Sequence, residues 1–406
     1  MSLYKNQNFV ILFSGQIVSV IGDNLFGIAL LWYVLNLTHS KADLAVTSFA
    51  STVPPILGIL TGVWVDRWLK KWTMIGSDLL RFIILMALFF VTLGVHPSFS
   101  LILLLVVLLG VVGTVFSPSF TSVLSYIVSK EDYTLASGWL QSSNAFASLG
   151  GMLGGGALMA LLGAPLLFLT DAVTFLGSVL SLLFVRVKEP SRGAGNTSVI
   201  EDWKTGMRAM MKSRFILQMG LTAAVNNFSL AGFDMAFTAW VKSPMHGNAF
   251  TLSLTLGAFL IGVILGGLSV NRVSRHFRHR PVLTFTTLVL GLSVSLTGVW
   301  ANLFWEISVL LIGGAALGVL DGVAGGLILV LIPEEVRGRV TSTLFTMGRI
   351  ATPLGVALLG LLMIHIPLWV VLMLTGIGPL LGGLSFLLPT AARRFAELDA
   401  GNRVSA

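Results

Sequence analysis

Long apolar runs separated by short polar segments recur along the whole chain. The hydrocarbon core of a bilayer is about 30 Å thick, and a helix crosses it with about 20 residues at a rise of about 1.5 Å each. Runs of that length occupy residues 9–37, 44–65, 73–95, 99–128, 134–162, 165–187, 215–241, 249–271, 281–301, 303–332, 338–364 and 367–389. The pattern therefore predicts an all-α membrane protein with twelve transmembrane helices.

The composition agrees with a membrane protein. Of the 406 residues, 55% are hydrophobic and only 10% are charged, whereas roughly 25% of the residues in a soluble domain are charged. The mean hydropathy is +0.92. The 44 glycines suit helices that pack closely inside a bilayer. A soluble multidomain enzyme does not fit these values.

The basic residues predict an orientation for these helices. Nearly all Lys and Arg residues lie in alternate polar segments, whereas the opposite set of loops holds Lys41 and Lys242. Loops rich in Lys and Arg stay on the cytoplasmic side of a membrane. We therefore expect both termini in the cytoplasm, with the protein in a bacterial inner membrane. This distribution also accounts for the net charge of +8, so nucleic acid is not expected as a partner.

The two halves of the chain are similar in sequence. At a constant offset of 205 positions, residues 62–67 (GVWVDR) align with residues 267–272 (GLSVNR), and 149–150 (LG) align with 354–355 (LG). One offset that serves several helix pairs indicates a duplicated six-helix bundle. The expected parts are an N-terminal bundle at 1–187, a linker at 188–214, a C-terminal bundle at 215–392 and a tail at 393–406. Parallel repeats of this kind place the substrate site near mid-membrane, where the repeats meet.

The loop after the second predicted helix carries a family motif. Residues 62–71 read GVWVDRWLKK, which resembles the signature loop of the major facilitator superfamily, and residues 267–272 resemble a degenerate second copy. The resemblance covers essentially the whole chain and implies two pseudo-symmetric six-helix bundles. It also implies a cytoplasmic gate formed by Gly62, Asp66, Arg67, Lys70 and Lys71. The alternative is that these charges only orient the helices.

Other stretches narrow the resemblance. Residues 15–19 (GQIVS), 78–81 (DLLR) and 333–340 (PEEVRGRV) are similar to the drug-exporter branch that includes macrolide and siderophore exporters. This similarity implies secondary active efflux of an amphipathic small molecule, coupled to protons, by alternating access. Residues 150–156 (GGMLGGG) stand where this branch has its antiporter motif but lack its usual proline. Residues 19–24 (SVIGDN) also resemble lysophospholipid transporters, so a lipid-like substrate is the alternative.

Polar and ionisable residues inside the apolar runs are candidates for the transport site. A charge at mid-membrane costs about 2.5–3.5 kcal/mol on insertion scales, so such residues are functional by default. In the superfamily, the first, fourth, seventh and tenth helices line the cavity. We expect carboxylates there to bind protons or substrate and an arginine to be their countercharge, with a structural hydrogen bond or ion pair as the alternative. The predicted set is Asp23, Asn24, Asp321, Arg349, Asn144 and Asp234.

Four more charged residues receive other roles. Asp78 and Arg81 lie three residues apart on one helix face, so we expect them to pair, or to meet the Asp66 loop, as part of the gate. Asp171 is expected to make a packing contact. Glu306 is expected to be an interfacial charge at an outer helix end.

Several chemistries find no support in the sequence. The chain has no cysteine, and its six histidines have no ligand spacing, so neither a metal site nor a cofactor is expected. A phosphate-binding loop is absent, which argues against an ATPase motor. A membrane-embedded enzyme or a receptor-like sensor is the rival from another class, but no paired carboxylate–histidine constellation favours it. The expected partners are a small-molecule or lipid-like substrate, protons and membrane lipids, and we expect a monomer.

Overall fold

The computed structural model describes residues 3–56, 68–129, 132–187, 189, 204, 206–208, 210–211, 213–332 and 334–388. These residues form helices and no strand. The chain divides into two compact units: Met1–Asn196 with Asn248–Ser253, and Thr197–Gly247 with Leu254–Ala406. Much of the predicted linker lies outside the described residues, so its bounds stay a prediction.

The first unit begins with a 3-10 turn, Leu3–Lys5, which is followed by helices. Those with both ends in the described part are α1 (Gln7–Thr38), α2 (Lys41–Thr52), α3 (Lys70–Leu93), α4 (Phe99–Gly113), α5 (Phe116–Ile127) and α6 (Tyr133–Phe184).

The other helices with both ends in the described part begin from residue 214 onwards, and of that region Asn248–Ser253 belongs to the first unit. In the described part they are α7 (Arg214–Leu230), α8 (Phe233–Lys242), α9 (Ala249–His276), α10 (His279–Leu296), α11 (Leu303–Leu331), α12 (Glu334–His365), α13 (Leu368–Thr375) and α14 (Ile377–Ser385).

Polar side chains begin several helices whose interiors are apolar. The first N–H groups of a helix have no partner within it, and a side-chain oxygen at the preceding residue accepts a hydrogen bond from one of them. Helices α1, α2, α4, α7 and α11 are capped in this way by Asn6, Ser40, Ser98, Ser213 and Asn302, respectively. The short polar separators seen in the sequence therefore define where these helices start.

Helix α6 contains a break that separates two of the predicted apolar runs. Gly163 has a φ of 76° and a ψ of 168°, a conformation that side-chain-bearing residues rarely adopt. Pro165 follows two residues later and has no backbone N–H to continue the hydrogen-bond ladder. The predicted runs at 134–162 and 165–187 are therefore two helices joined across a kink.

Eight helical stretches of the described residues are long and apolar enough to cross a membrane. One of them, Leu135–Phe184, has 50 residues and contains both runs that meet at Gly163. The run at 215–241 corresponds to two consecutive helices, α7 and α8. The run at 44–65 continues beyond the described residues. The all-helical membrane architecture is confirmed, and a count of twelve is consistent with it.

Helices α9 and α11 approach each other closely through glycines. A Cβ at Gly314 would overlap the carbonyl oxygen of Phe259, and one at Gly318 would overlap that of Val263. Gly262 and Gly266 on α9 face α11 in the same way. Both helices therefore carry glycines four residues apart, the small-residue spacing that lets helix backbones touch inside a bilayer.

The apolar core of the first unit lies between α1, α3, α4 and α6. It includes the buried side chains of Ala29, Leu85, Leu88, Ile102 and Phe168. The polar residues of the first unit described next lie mainly on three of these helices, so packing of the core fixes their positions.

Candidate functional site

Asp78 and Arg81 form an ion pair on α3 in the first unit. Arg81 Nη1 lies 3.9 Å from Asp78 Oδ1, and their side chains are 17% and 1% exposed, respectively. Ser178 Oγ on α6 donates a 2.6 Å hydrogen bond to Asp78 Oδ2. The guanidinium carbon lies 5.6 Å and 5.0 Å from the ring centroids of Phe116 and Phe175, which stabilises the cation. The expected pair is formed, and α5 and α6 enclose it.

Asp171 on α6 is fully buried, with 0% of its surface exposed. Its Oδ1 accepts a 3.3 Å hydrogen bond from Thr174 Oγ1, and its Oδ2 has no hydrogen-bond partner among the described residues. A Cβ at position 22 would overlap both Asp171 Oδ1 and Thr174 Oγ1, so Gly22 makes the room that this carboxyl needs against α1.

Asp23 on α1 is exposed, whereas Asp78 and Asp171 are buried. It follows Gly22 on α1, and its charge is attracted by Arg81 and repels those of Asp78 and Asp171. Among the described residues, Asp78 forms the ion pair with Arg81, and Asp23 and Asp171 lie on two other helices within range of its charge. We call Asp23, Asp78, Arg81 and Asp171 the acidic cluster. Chemically, such a cluster can hold and release protons.

Two of the predicted site residues in the first unit are amides, Asn24 on α1 and Asn144 on α6. Asn24 Nδ2 donates to Val20 O at 2.7 Å and to Ser148 Oγ at 3.2 Å, so Asn24 makes the helix–helix hydrogen bond that was the structural alternative. Asn144 Oδ1 is buried and has no hydrogen-bond partner in the described part of the chain. A binding role for Asn144 stays a prediction.

A cavity of about 330 Å³ lies inside the second unit, between α7, α10 and α11. Asp321 is exposed to it. Asn226 Oδ1 is buried and lacks a hydrogen-bond partner among the described residues. The polar lining consists of Thr222, Asn226, Asn227, Thr287 and Asp321. The volume of this cavity lies at the lower end of the range for small-molecule sites, which is about 300–1,000 Å³.

Arg349 and Asp234 are exposed side chains of the second unit. Asp234 lies in the first turn of α8, where its carbonyl oxygen accepts a hydrogen bond from Thr238 Oγ1 at 2.7 Å. Among the described residues, no ion pair joins Arg349 to Asp321. Their functional roles stay predictions.

Glu306 differs from its expected place at an interface, because it is fully buried. Its Oε1 accepts hydrogen bonds from Trp240 Nε1 at 2.9 Å and from the backbone N–H of Gly298 at 3.2 Å. A buried carboxylate needs such donors to offset the loss of water. Glu306 therefore ties the start of α11 to the end of α8.

The predicted gate is only partly described. Gly62, Asp66 and Arg67 lie outside the described residues. Lys70 is buried, and its Nζ donates to Trp68 O at 3.2 Å. A gating role for these residues stays a prediction.

Lys71 joins the start of α3 to the end of α6. Its Nζ donates to the carbonyl oxygens of Leu183 and Val185 at 3.1 Å and 2.8 Å. The two carboxylate oxygens of Glu189 accept the backbone N–H groups of Lys70 and Lys71, each at 2.9 Å. A carboxylate at a helix N-terminus and a cation at a helix C-terminus both complement the helix dipole. Glu189 was not identified from the sequence.

Nearly the whole chain matches one known protein family. The sequence profile of the family described as "Transmembrane secretion effector" matches residues 1–404. The chain belongs to this family of the major facilitator superfamily. It is therefore a multi-pass membrane transporter, as the motif at residues 62–71 implied.

The relatives of this major facilitator protein include named efflux proteins. "Macrolide efflux protein A" of Streptococcus pyogenes is 24% identical over 374 residues, which cover 88% of this chain and 90% of that protein. "Multidrug efflux pump Tap" of Mycolicibacterium fortuitum is 24% identical over 84% of this chain and 85% of its own length. These relatives do not support the lysophospholipid alternative.

Solved structures confirm the major facilitator fold. The nucleoside transporter NupG superposes with a TM-score of 0.73 at 14% identity and covers 94% of this chain and 99% of its own. A bacterial homologue of the iron transporter ferroportin, in an inward-facing state, gives a TM-score of 0.69 at 17% identity, with coverages of 95% and 99%. At sequence identities this low, the structural similarity is evidence for the fold alone.

Proposed function

We propose that this transporter exports amphipathic small molecules, including macrolide-like drugs, in exchange for protons and by alternating access. The observation that carries the proposal is the acidic cluster, in which Asp171 is sealed and Asp23 is accessible. The names of the relatives support drug efflux as the direction and substrate class.

The acidic cluster supports proton coupling through its charge balance. With all groups ionised, three carboxylates would face one guanidinium. A charge inside the bilayer costs at least about 2.5–3.5 kcal/mol, and Asp171 Oδ2 has no hydrogen-bond donor among the described residues to offset that cost. A proton on this group removes the cost. Asp23 would pass protons to and from water, while Asp171 would hold one.

The cavity in the second unit supports small-molecule binding. Asp321 provides one negative charge, and its amide and hydroxyl neighbours provide hydrogen-bonding groups. Apolar side chains such as Met219 and Leu230 line the same cavity, as an amphipathic ligand requires. Asp321 would bind the cationic or hydrogen-bonding end of the substrate.

We also propose an orientation, a cytoplasmic gate and an oligomeric state for this transporter. Both termini would lie in the cytoplasm of a bacterial inner membrane, because the Lys- and Arg-rich segments alternate along the chain. The loop at residues 62–71 would act as the cytoplasmic gate, and Glu189 would hold the end of this loop on α3. The protein would work as a monomer.

Uptake of a radiolabelled macrolide into proteoliposomes tests the proposal. An imposed pH gradient, acid inside, should drive accumulation by the wild-type protein in the inverted orientation. Asp23→Asn, Asp171→Asn and Asp321→Asn should each lower the gradient-driven rate at least tenfold. Asp43→Asn, on α2 and outside both sites, is the matched control and should keep the wild-type rate.

The possible outcomes separate the parts of the proposal. Wild-type uptake that persists without a gradient would refute proton coupling. Absence of macrolide uptake, with active transport of other compounds, would refute the substrate class. Full gradient-driven uptake by all three aspartate variants would refute the assignment of the sites.

A further inference from the structure

A second polar cavity, of about 670 Å³, lies at one end of the first unit. The start of α1, the start of α3, the end of α5 and the segment after α6 surround it. Its lining residues are Asn6, Asn8, Lys71, Trp72, Tyr126, Ile127, Val185, Arg186 and Val187. It lies at the helix ends, so it belongs neither to the acidic cluster nor to the cavity at Asp321.

The described residues that line this cavity carry positive charge and include no carboxylate. Arg186 is exposed, and its backbone N–H is held by Asn8 Oδ1 at 2.8 Å. Lys71 uses two of its three ammonium hydrogens on backbone carbonyls, which leaves one for a ligand. Glu189 is a nearby negative charge among the described residues, and both of its oxygens already accept backbone N–H groups. The cavity therefore complements an anion.

Two aromatic side chains stand at the edge of the same cavity. Trp72 is 59% exposed and Tyr126 is 41% exposed. Exposed Trp and Tyr at the ends of membrane-spanning helices sit at the level of the lipid headgroups. A basic pocket between helix ends, flanked by such aromatics, is the setting in which proteins bind anionic headgroups.

The hydrogen bonds around the cavity hold its walls in place. Asn6 Nδ2 donates to Ile127 O at 2.7 Å, joining the start of α1 to the end of α5. Asn8 joins α1 to the segment after α6. The basic groups are therefore presented from backbone that is tied at several points, which lowers the entropy cost of binding a ligand.

We propose that this cavity binds the phosphodiester headgroup of an anionic phospholipid, with Arg186 and Lys71 contacting the phosphate and Trp72 and Tyr126 packing against the glycerol region. The lipid would come from the leaflet at this end of the helices. The proposal does not depend on the transported substrate or on proton coupling.

Lipid competition in nanodiscs tests the proposal. The purified full-length protein is placed in phosphatidylcholine nanodiscs with increasing phosphatidylglycerol, and retained lipids are counted by native mass spectrometry. The wild-type protein should retain one phosphatidylglycerol in preference to phosphatidylcholine. Arg186→Gln should lower that preference about fivefold, the effect of one basic residue near anionic lipid. Arg272→Gln, an exposed arginine at the end of α9, is the matched control and should leave the preference unchanged.

A second variant and a competition experiment with inorganic phosphate test the aromatic contacts and the identity of the ligand. Trp72→Ala should weaken retention of both lipids, because it removes apolar contact and no charge. Inorganic phosphate should not displace the lipid at millimolar concentration. An unchanged lipid preference in Arg186→Gln would overturn the proposal, as would displacement by phosphate alone, which would identify a site for free phosphate.

Discussion

Lys71 and Arg280 make the same kind of contact in the two units. Lys71 Nζ donates to two carbonyl oxygens at the C-terminal end of α6, at 3.1 Å and 2.8 Å. Arg280 Nε and Nη2 donate to two carbonyl oxygens directly after α14, at 2.9 Å and 2.8 Å. The last carbonyls of a helix lack partners and carry partial negative charge. A cation at the start of one helix therefore holds the end of another in each repeat.

Removing either cation should destabilise the protein. Lys71→Gln and Arg280→Gln each remove charge-assisted hydrogen bonds from two carbonyls, and we expect a loss of about 1–2 kcal/mol in the free energy of unfolding. Chemical unfolding in detergent measures the loss. Arg272→Gln, which changes an exposed arginine, should stay within about 0.5 kcal/mol of the wild type. Equal stability of all three variants would mean that the contacts contribute nothing.

Gly22 should tolerate no side chain, because Asp171 and Thr174 occupy the space. Gly22→Ala should cost about 1–3 kcal/mol through overpacking and should lower gradient-driven transport, because α1 or Asp171 must shift. Gly27→Ala on the same helix meets nothing within 4 Å and is the control. Both variants are compared by thermal unfolding and by proteoliposome uptake. A neutral Gly22→Ala would show that the packing of α1 on Asp171 is loose.

The sequence predicted the helices well because apolar runs must match the bilayer thickness whatever their tertiary contacts. It also placed Asp78 and Arg81 together, since residues three apart share a helix face. The break at Gly163 followed from the Gly-Ala-Pro separator. Each of these features depends on residues that are close together in the sequence, so it can be predicted without knowing the fold.

The parts that were missed depend on contacts between distant segments. The expected packing contact of Asp171 is formed against Gly22, about 150 positions earlier in the chain, but neither this partner nor the nearby Asp23 can be read from the residues next to Asp171. Glu306 was placed at an interface because its partner Trp240 cannot be read from neighbouring residues. The repeat offset of 205 aligns Lys71 with His276 rather than with Arg280, so the alignment alone conceals their equivalent contacts.

The stability of the protein should change little when the buried Glu306 loses only its charge, and more when it also loses its hydrogen-bond acceptor. Glu306→Gln retains a carbonyl oxygen for the Trp240 indole and should stay within about 1 kcal/mol of the wild type. Glu306→Leu leaves the indole N–H and the Gly298 N–H without an acceptor and should cost about 1–3 kcal/mol. Unfolding measurements give the stabilities, and Trp240 fluorescence reports the local environment. Similar losses in both variants would assign the effect to the charge instead of the hydrogen bonds.

Glu189 should protect the first amides of α3 from solvent exchange. In Glu189→Ala the N–H groups of Lys70 and Lys71 lose their acceptors, and a loss of about 1–2 kcal/mol corresponds to exchange about 5–30 times faster. Hydrogen–deuterium exchange of a peptide spanning the start of α3 measures this. The start of α11, which Asn302 caps, is an internal control in the same sample and should exchange at its wild-type rate. Glu189→Gln keeps one acceptor oxygen without the charge. Exchange at the start of α3 in this variant should therefore be faster than in the wild type and slower than in Glu189→Ala. Unchanged exchange at α3 in Glu189→Ala would show that water replaces the carboxylate at no cost, and Glu189 would then have no part in holding the start of this helix.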